Sequence, residues 1–222
     1  MTGLTVACVL VRGHVGFTPD YVLKLRSMAS RALPEHRFVC LTDQPGSLPG
    51  IETIGVAPPR DMYAWWAKVE LFNPAHDALQ QGRVLYLDLD VLIVDDLSPV
   101  VNYSPGFAIV PDGAPNFVGK GDLKVVKRFN SSVMSWEGGM YNDLYLDWRP
   151  DVARRLWGDQ DWIGERLPNA TKMPLSWFPR LSQVMQRGRV DARMNDAKVI
   201  LCKKPKNADA AKQWPWFVKA WR

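Results

Sequence analysis

The stretch GRVLYLDLDVLIVDDL, residues 82–97, sets an apolar run before two aspartates spaced one residue apart, then turns apolar again. Residues 83–89 read as a buried β-strand, a short continuous run rich in Leu and Val that follows a glycine. Asp88 and Asp90 fall where that strand runs out. Two carboxylates about 5 Å apart repel by roughly 3 kcal/mol at an effective dielectric near 20, so an unpartnered pair is unfavourable. Something positive belongs beside them.

Residues 4–11, upstream, form another apolar strand pattern, and FTPDYVLKLRSMASRAL follows, with Thr18 as N-cap, Pro19 at the first helical position and Asp20 in the first turn. Residues 36–42 read as a strand ending at Asp43, and 51–56 as a weaker one. Residues 63–72 carry apolar side chains at helical spacing and stop before Asn73 and Pro74. Strands alternating with helices argue for an α/β fold with a mainly parallel sheet covered on both faces. Ligands of such sheets bind beyond the carboxyl ends of the strands. Residues 11–17, Asp43 and the Asp88/Asp90 pair are therefore expected along one rim. Further on, 107–110, 133–136 and 199–201 read as shorter strands, with helices near 141–157 and 160–166.

At 222 residues and 47% hydrophobic, the chain can bury one sizeable core, and a single domain over residues 1–222 is expected. The C-terminal quarter alone is also open to a reading as an appendage. The apolar run at 4–11 is too short to span a bilayer and lacks the basic leader and cleavage site of a signal peptide, which predicts a soluble, cytoplasmic protein. Cys8, Cys40 and Cys202 stand at no metal-ligand spacing, and the first two lie in strand-like runs where thiols pack as small hydrophobes. His14, His36 and His76 have no ligand-spaced partners and read as loop or surface residues. G-x-G-x-x-G and P-loop patterns are both absent, which speaks against a dinucleotide fold or a P-loop NTPase.

The formal charge of +5 is uneven. Arg187, Arg189, Arg193, Lys198, Lys203, Lys204, Lys206, Lys212, Lys219 and Arg222 crowd the tail, as a solvated face or as a contact for an anionic partner such as a pyrophosphate, nucleic acid or membrane surface. Eight of the ten tryptophans fall after residue 130. Most should be core, with one or two on the rim able to stack on a sugar or a base.

An EF-hand loop does not fit the double aspartate, because Ile93 stands where the loop needs glycine. A phosphatase of the haloacid-dehalogenase type wants Thr or Val where Leu92 stands. Two solvated aspartates in a turn remain possible on the residues alone. The other reading is a divalent cation bridging the carboxylates to a diphosphate.

RVLYLDLDVLIVDDL resembles the metal-binding segment of glycogenin-like nucleotide-sugar transferases, glycosyltransferase family 8 and its relatives. WWAKVELFNP, FNSSVMSW, GDQDWI and KKPK are similar to further family segments in the same order, and HRFVCLTD to bacterial and phage relatives. The resemblance covers most of residues 4–206. It implies a GT-A fold, with a nucleotide-binding half over about 1–100 and an acceptor-side half over about 101–222. It also implies metal-dependent transfer of a sugar from a UDP-sugar, using Mn2+ or Mg2+, with retention of configuration.

By the same resemblance Asp88 contacts ribose and metal, and Asp90 chelates the metal. Lys68 lies near the donor, although beside Trp65 and Trp66 it reads equally as a snorkelling lysine. Asn130, just before an apolar strand, lies near the sugar, or is a turn asparagine. Asp159 and Gln160 face the donor sugar and acceptor, with Asp159 also able to cap a helix. Lys206 holds the diphosphate, and Arg12 lies in the nucleotide loop, where the match is poor. The departure is Cys202, which stands where the family carries a metal-binding histidine; a soft thiol suits Mn2+ or Mg2+ poorly. Cys202 is expected to be bystander packing. The acceptor is open: saccharide, protein or DNA. Two further readings stay open, a nucleotide-sugar binding module that has lost turnover, and a nucleic-acid partner suggested by the tail with Lys120, Lys124, Lys127 and Arg128.

Overall fold

The structure is a computed structural model that describes residues 3–13, 16–57, 63–112, 129–186, 189–190 and 194–221. Strand β1 (Leu4–Leu10) leads to helix α1 (Pro19–Ala32), then β2 (Arg37–Thr42) and β3 (Glu52–Gly55). A 3-10 helix (Ala64–Phe72) precedes β4 (Arg83–Leu87), and β5 (Val91–Ile93), α2 (Ser98–Val101), β6 (Ala108–Pro111) and β7 (Phe129–Glu137) follow. The remainder comprises α3 (Asp143–Leu146), α4 (Pro150–Arg155), α5 (Asp159–Arg166), β8 (Thr171–Lys172), α6 (Leu181–Val184), β9 (Met185–Gln186), β10 (Arg189–Val190), β11 (Val199–Leu201), α7 (Pro205–Ala211) and α8 (Pro215–Ala220).

Seven strands form the central sheet in the order β3-β2-β1-β4-β7-β6-β8. Neighbours are parallel except around β7, which is antiparallel to both β4 and β6. The expected α/β class with a mainly parallel sheet holds. Its strands read as continuous apolar runs because both faces are covered. Val6, Cys8 and Leu10 of β1 pack with Leu85 and Leu87 of β4 against α1 and the tail. The alternate residues Ala7, Val9, Val84 and Tyr86 pack against the 3-10 helix, Trp136 and Trp162. A period of two thus divides one run between two cores.

The expected helix over 63–72 winds as a 3-10 helix from Ala64. Apolar spacing marks which face is buried without separating an i+3 from an i+4 turn. The helix expected over 141–157 is two short ones, interrupted where Arg149 is extended ahead of Pro150. Thr18 occupies the N-cap of α1 without a side-chain cap bond. β4 ends at Leu87, two residues short of the expected strand; residues 89–90 turn, and β5 leaves the main sheet to pair antiparallel with β11. The double aspartate is therefore the joint between two sheets. Cys8 and Cys40 are fully buried, as expected of small hydrophobes. Among the described residues no helix is long and apolar enough to cross a membrane.

Candidate active site

β1, β2 and β4 end on one rim, with Arg12, Asp43 and Asp88 just beyond them. Because β7 runs the other way, its first residues join the same rim: Leu87 pairs with Val133, and Asp88 N donates to Ser132 O at 2.9 Å. The pairing of β7 with β6 slips at this point. Ile109 pairs with Met134 but the next residue, Val110, pairs with Asn130, leaving residues 131–133 as a bulge. A bulge re-aims side chains, and here consecutive serines both serve the rim. Ser131 Oγ accepts from Lys68 Nζ at 3.2 Å, and the Ser132 hydroxyl donates to Asp88.

Lys68 is the hub. Its Nζ lies 2.8 Å from Asp88 Oδ1 and 3.7 Å from Asp159 Oδ2, and 5.3 Å from the centroid of the Tyr86 ring. Its side chain is only 8% exposed, so the snorkelling alternative does not hold. Burial alone would lower the ammonium pKa, but Asp159 and then Asp88 outweigh it and hold the group charged, above its usual value. Asp88 also accepts from Tyr86 Oη at 2.6 Å. Burial works to raise the Asp88 carboxyl, yet the charge of Lys68 and the bonds from Lys68, Tyr86 and Ser132 bring it below the ordinary range.

Asp90 and Asp159 behave differently. Burial, then the charge of Asp88, push the Asp90 carboxyl up to about 7. Asp159 is raised by burial, partly offset by Lys68 and Ser131. The N-cap of α5 is Gly158, so Asp159 is the first helical residue and does not cap. Its carboxylate at the positive helix end turns instead toward Lys68. Gln160 follows it, half-buried.

Asn130 lies inside β7 instead of ahead of it, and its Oδ1 accepts from Ser132 N at 2.9 Å, bracing the bulge. Arg12 is 75% exposed, and its Nε pairs with Asp43 Oδ2 at 2.8 Å while its backbone N–H bonds Oδ1. It shares the rim without joining the cluster. Lys206 lies in the first turn of α7, and its side chain, with His14, Lys120, Lys124, Lys127, Arg128, Arg187, Arg193 and Arg222, lies outside the described residues. His36 bonds Pro34 O and His76 bonds Glu70, in keeping with structural roles. Cys202 is buried against the double aspartate, its N–H donating to Asp90 O at 3.1 Å. Burial and then Asp90 push its thiol pKa up, so it stays protonated.

Among the described residues Asp88, Asp90 and Asp159 thus share the ammonium of Lys68. Among the described residues no group of three or more His, Cys, Asp or Glu is arranged to hold a metal ion. The donor set at the turn is two hard carboxylates, which fits a hard divalent cation that takes its remaining oxygens from a ligand and water. Sequence reasoning missed Tyr86, Ser131 and Ser132. Tyr86 stands two residues before Asp88 and so on the same strand face, a signal that could have found it.

A seven-stranded, mostly parallel sheet flanked by helices, with its polar cluster beyond the strand ends, is an α/β fold of the GT-A type. It is shared with the galactosyltransferase LgtC, solved in complex with donor and acceptor sugar analogues: TM-score 0.65 and 16% identity, covering 98% of this chain and 95% of that one. An active-site mutant of LgtC matches with TM-score 0.65 and 15% identity over 97% and 95% of the two chains. No protein-family model matches the sequence, and no curated protein matches it significantly. At such identity the likeness is one of fold.

Proposed function

We propose that the protein is a nucleotide-sugar glycosyltransferase that takes a UDP-sugar, uses a divalent cation, Mn2+ or Mg2+, at Asp88 and Asp90, and transfers the sugar with retention of configuration. The observation that carries this reading is the meeting of four elements at one charged cluster on the carboxyl rim: the end of β4, the bulge of β7, the 3-10 helix and the start of α5. When bound, the cation would supply stabilisation of the charge that develops on the leaving diphosphate.

The chain's own residues do the rest by position. Lys68 keeps Asp88 ionised and fixes it against Tyr86 and Ser132, so one ligand oxygen set is preorganised on rigid elements. Asp159, Gln160 and Asn130 orient the sugar through hydrogen bonds to its hydroxyls. Arg12 lies on the nucleotide side of the rim. Lys206, with Lys203 and Lys204 exposed beside Cys202, offers positive charge to the diphosphate. No dedicated general base is needed where positioning and charge stabilisation supply the acceleration.

Cys202 favours a second reading. It is buried beside Asp90 where the resemblance implies a histidine, and a soft thiol suits Mn2+ or Mg2+ poorly, which suits a nucleotide-sugar binding module with little turnover. Nucleotide release from UDP-, GDP- and CDP-sugars, with Mn2+ or Mg2+, separates the two when wild type is run beside Asp90→Asn. Metal-dependent release from one donor, lost in the variant, is expected. UDP binding without release from any donor, in the presence of saccharide acceptors, would favour the binding module.

A further inference from the structure

Beside the charged cluster stands a feature of different chemistry. Tyr63, 57% exposed, stacks on Trp65 with ring centroids 4.2 Å apart and planes 11° from parallel. The Trp157 ring lies 6.3 Å from Trp65 and 6.4 Å from Tyr63. Trp65 Nε1 donates to the Trp157 carbonyl at 3.3 Å, which locks the indole in place. Gly158 lies against the same ring, a Cβ there standing 3.4 Å from Nε1. The three rings form a fixed platform, with Tyr63 open to solvent.

Both ends of the platform are tied to the cluster. Trp65 and Lys68 are three residues apart in a 3-10 helix, where side chains at that spacing eclipse. Trp157 precedes Asp159 by two residues. We propose that Tyr63, Trp65 and Trp157 form a stacking subsite for a pyranose ring of a neutral acceptor saccharide. The word acceptor rests on the transferase reading above; the stacking itself does not.

Three properties of the platform select this ligand. Aromatic faces carry negative charge density, which attracts the polarised C–H groups on the apolar face of a pyranose. The rings themselves are uncharged, which suits a neutral ligand held by its apolar face. The exposure of Tyr63 suits a ligand that extends outward, as an oligosaccharide does, over a small molecule that must be enclosed.

The test measures saccharide binding without donor, by calorimetry and saturation-transfer NMR, over a panel of neutral di- and trisaccharides of glucose, galactose and N-acetylglucosamine. Wild type is expected to bind at least one, with saturation strongest on the C–H protons of one ring face. Tyr63→Ala should weaken that binding about tenfold, and Tyr63→Phe, which keeps the ring, should stay within about twofold. Unchanged thermal midpoints of both variants would show that the fold is intact. Binding that is indifferent to Tyr63→Ala, binding lost equally in Tyr63→Phe, or no binding across the panel would overturn the proposal. So would a single-stranded oligonucleotide that binds through Tyr63 where the sugars do not. Nucleotide release by wild type is a separate assay, so a failed transferase reading with Tyr63-dependent sugar binding leaves the stacking subsite standing.

Discussion

Replacing Asp90 by Asn is expected to stabilise the metal-free protein above neutral pH. Asp90 is 8% exposed, and burial first, then the charge of Asp88, push its carboxyl from the ordinary 3.8 up to about 7. The unfolded chain releases that proton near the ordinary value, so between the two values the folded state binds more protons. Stability therefore falls as pH rises through this window. Each pH unit is worth about 1.4 kcal/mol, which sets a ceiling of about 4 kcal/mol for the whole window. Relaxation and water entry around a buried charge reduce it, so a loss of about 2 kcal/mol between about pH 5 and pH 8 is expected of the wild type. Asn keeps the shape and has no proton to lose; the difference between the two proteins isolates this group. Urea unfolding in chelator across that range measures it, and Mn2+ added at about pH 8 should stabilise wild type while leaving Asp90→Asn unmoved. Equal pH profiles for the two proteins would refute the idea that Asp90 is a buried charge short of a cation.

Lys68→Met should cost about 3 kcal/mol at neutral pH in the same unfolding assay, because Asp88 and Asp159 are left buried without their ammonium. The deficit should shrink as pH falls and the two carboxyls, raised in the folded variant, take up protons. Cys202→Ser is expected to keep most of the metal-dependent nucleotide release; a collapse of that release would make the sulfur a ligand. Gly82→Ala should lower the thermal midpoint, with a loss of about 2 kcal/mol. Residue 82 has φ +67, and a Cβ there would collide with the Gly3 carbonyl; an unchanged midpoint would show that the turn into β4 gives way.

The strands were legible because burial on both faces leaves a continuous apolar signature, and the rim followed from strand direction alone. Asp88, Asp90, Lys68 and Asp159 could be named because their segments resemble those of family 8 glycosyltransferases. What joins them was hidden. A serine pair in a strand looks like solvated polar residues until the slip between β6 and β7 turns both toward the rim, and that slip depends on pairing with a strand about twenty residues away in sequence. The burial of Lys68 was equally out of reach: a lysine in an apolar run can snorkel or be caged, and only the placement of Asp88 and Asp159 decides. Capping and a place in the site were both open to Asp159 in the sequence; Gly158 takes the N-cap and the Asp159 carboxylate is drawn to Lys68.

The C-terminal segment, open in the sequence to a reading as an appendage, is part of the core that holds the site. Phe217 and Trp221 are buried with centroids 5.4 Å apart, Tyr21 of α1 packs edge-on against Trp221, and Tyr21 Oη bonds Asp209. β11 pairs with β5 along its whole length, and Cys202 N–H then bonds Asp90 O. The turn bearing Asp90 is thereby gripped between β4 on one side and the tail strand on the other, so the separation of the two carboxylates is set by how residues 199–202 dock. The tail's charge also changes meaning. Lys198 pairs with Asp95 and Lys212 with Asp209, so part of what reads as a basic face is neutralised within the chain. Lys203, held at φ 68, and Lys204 stay exposed immediately after Cys202. A left-handed lysine is costly and persists only where its surroundings enforce it. Here the enforcement is the bond from Cys202 to Asp90 on one side and the start of α7 on the other, which ties the remaining positive charge of the tail to the position of the double aspartate.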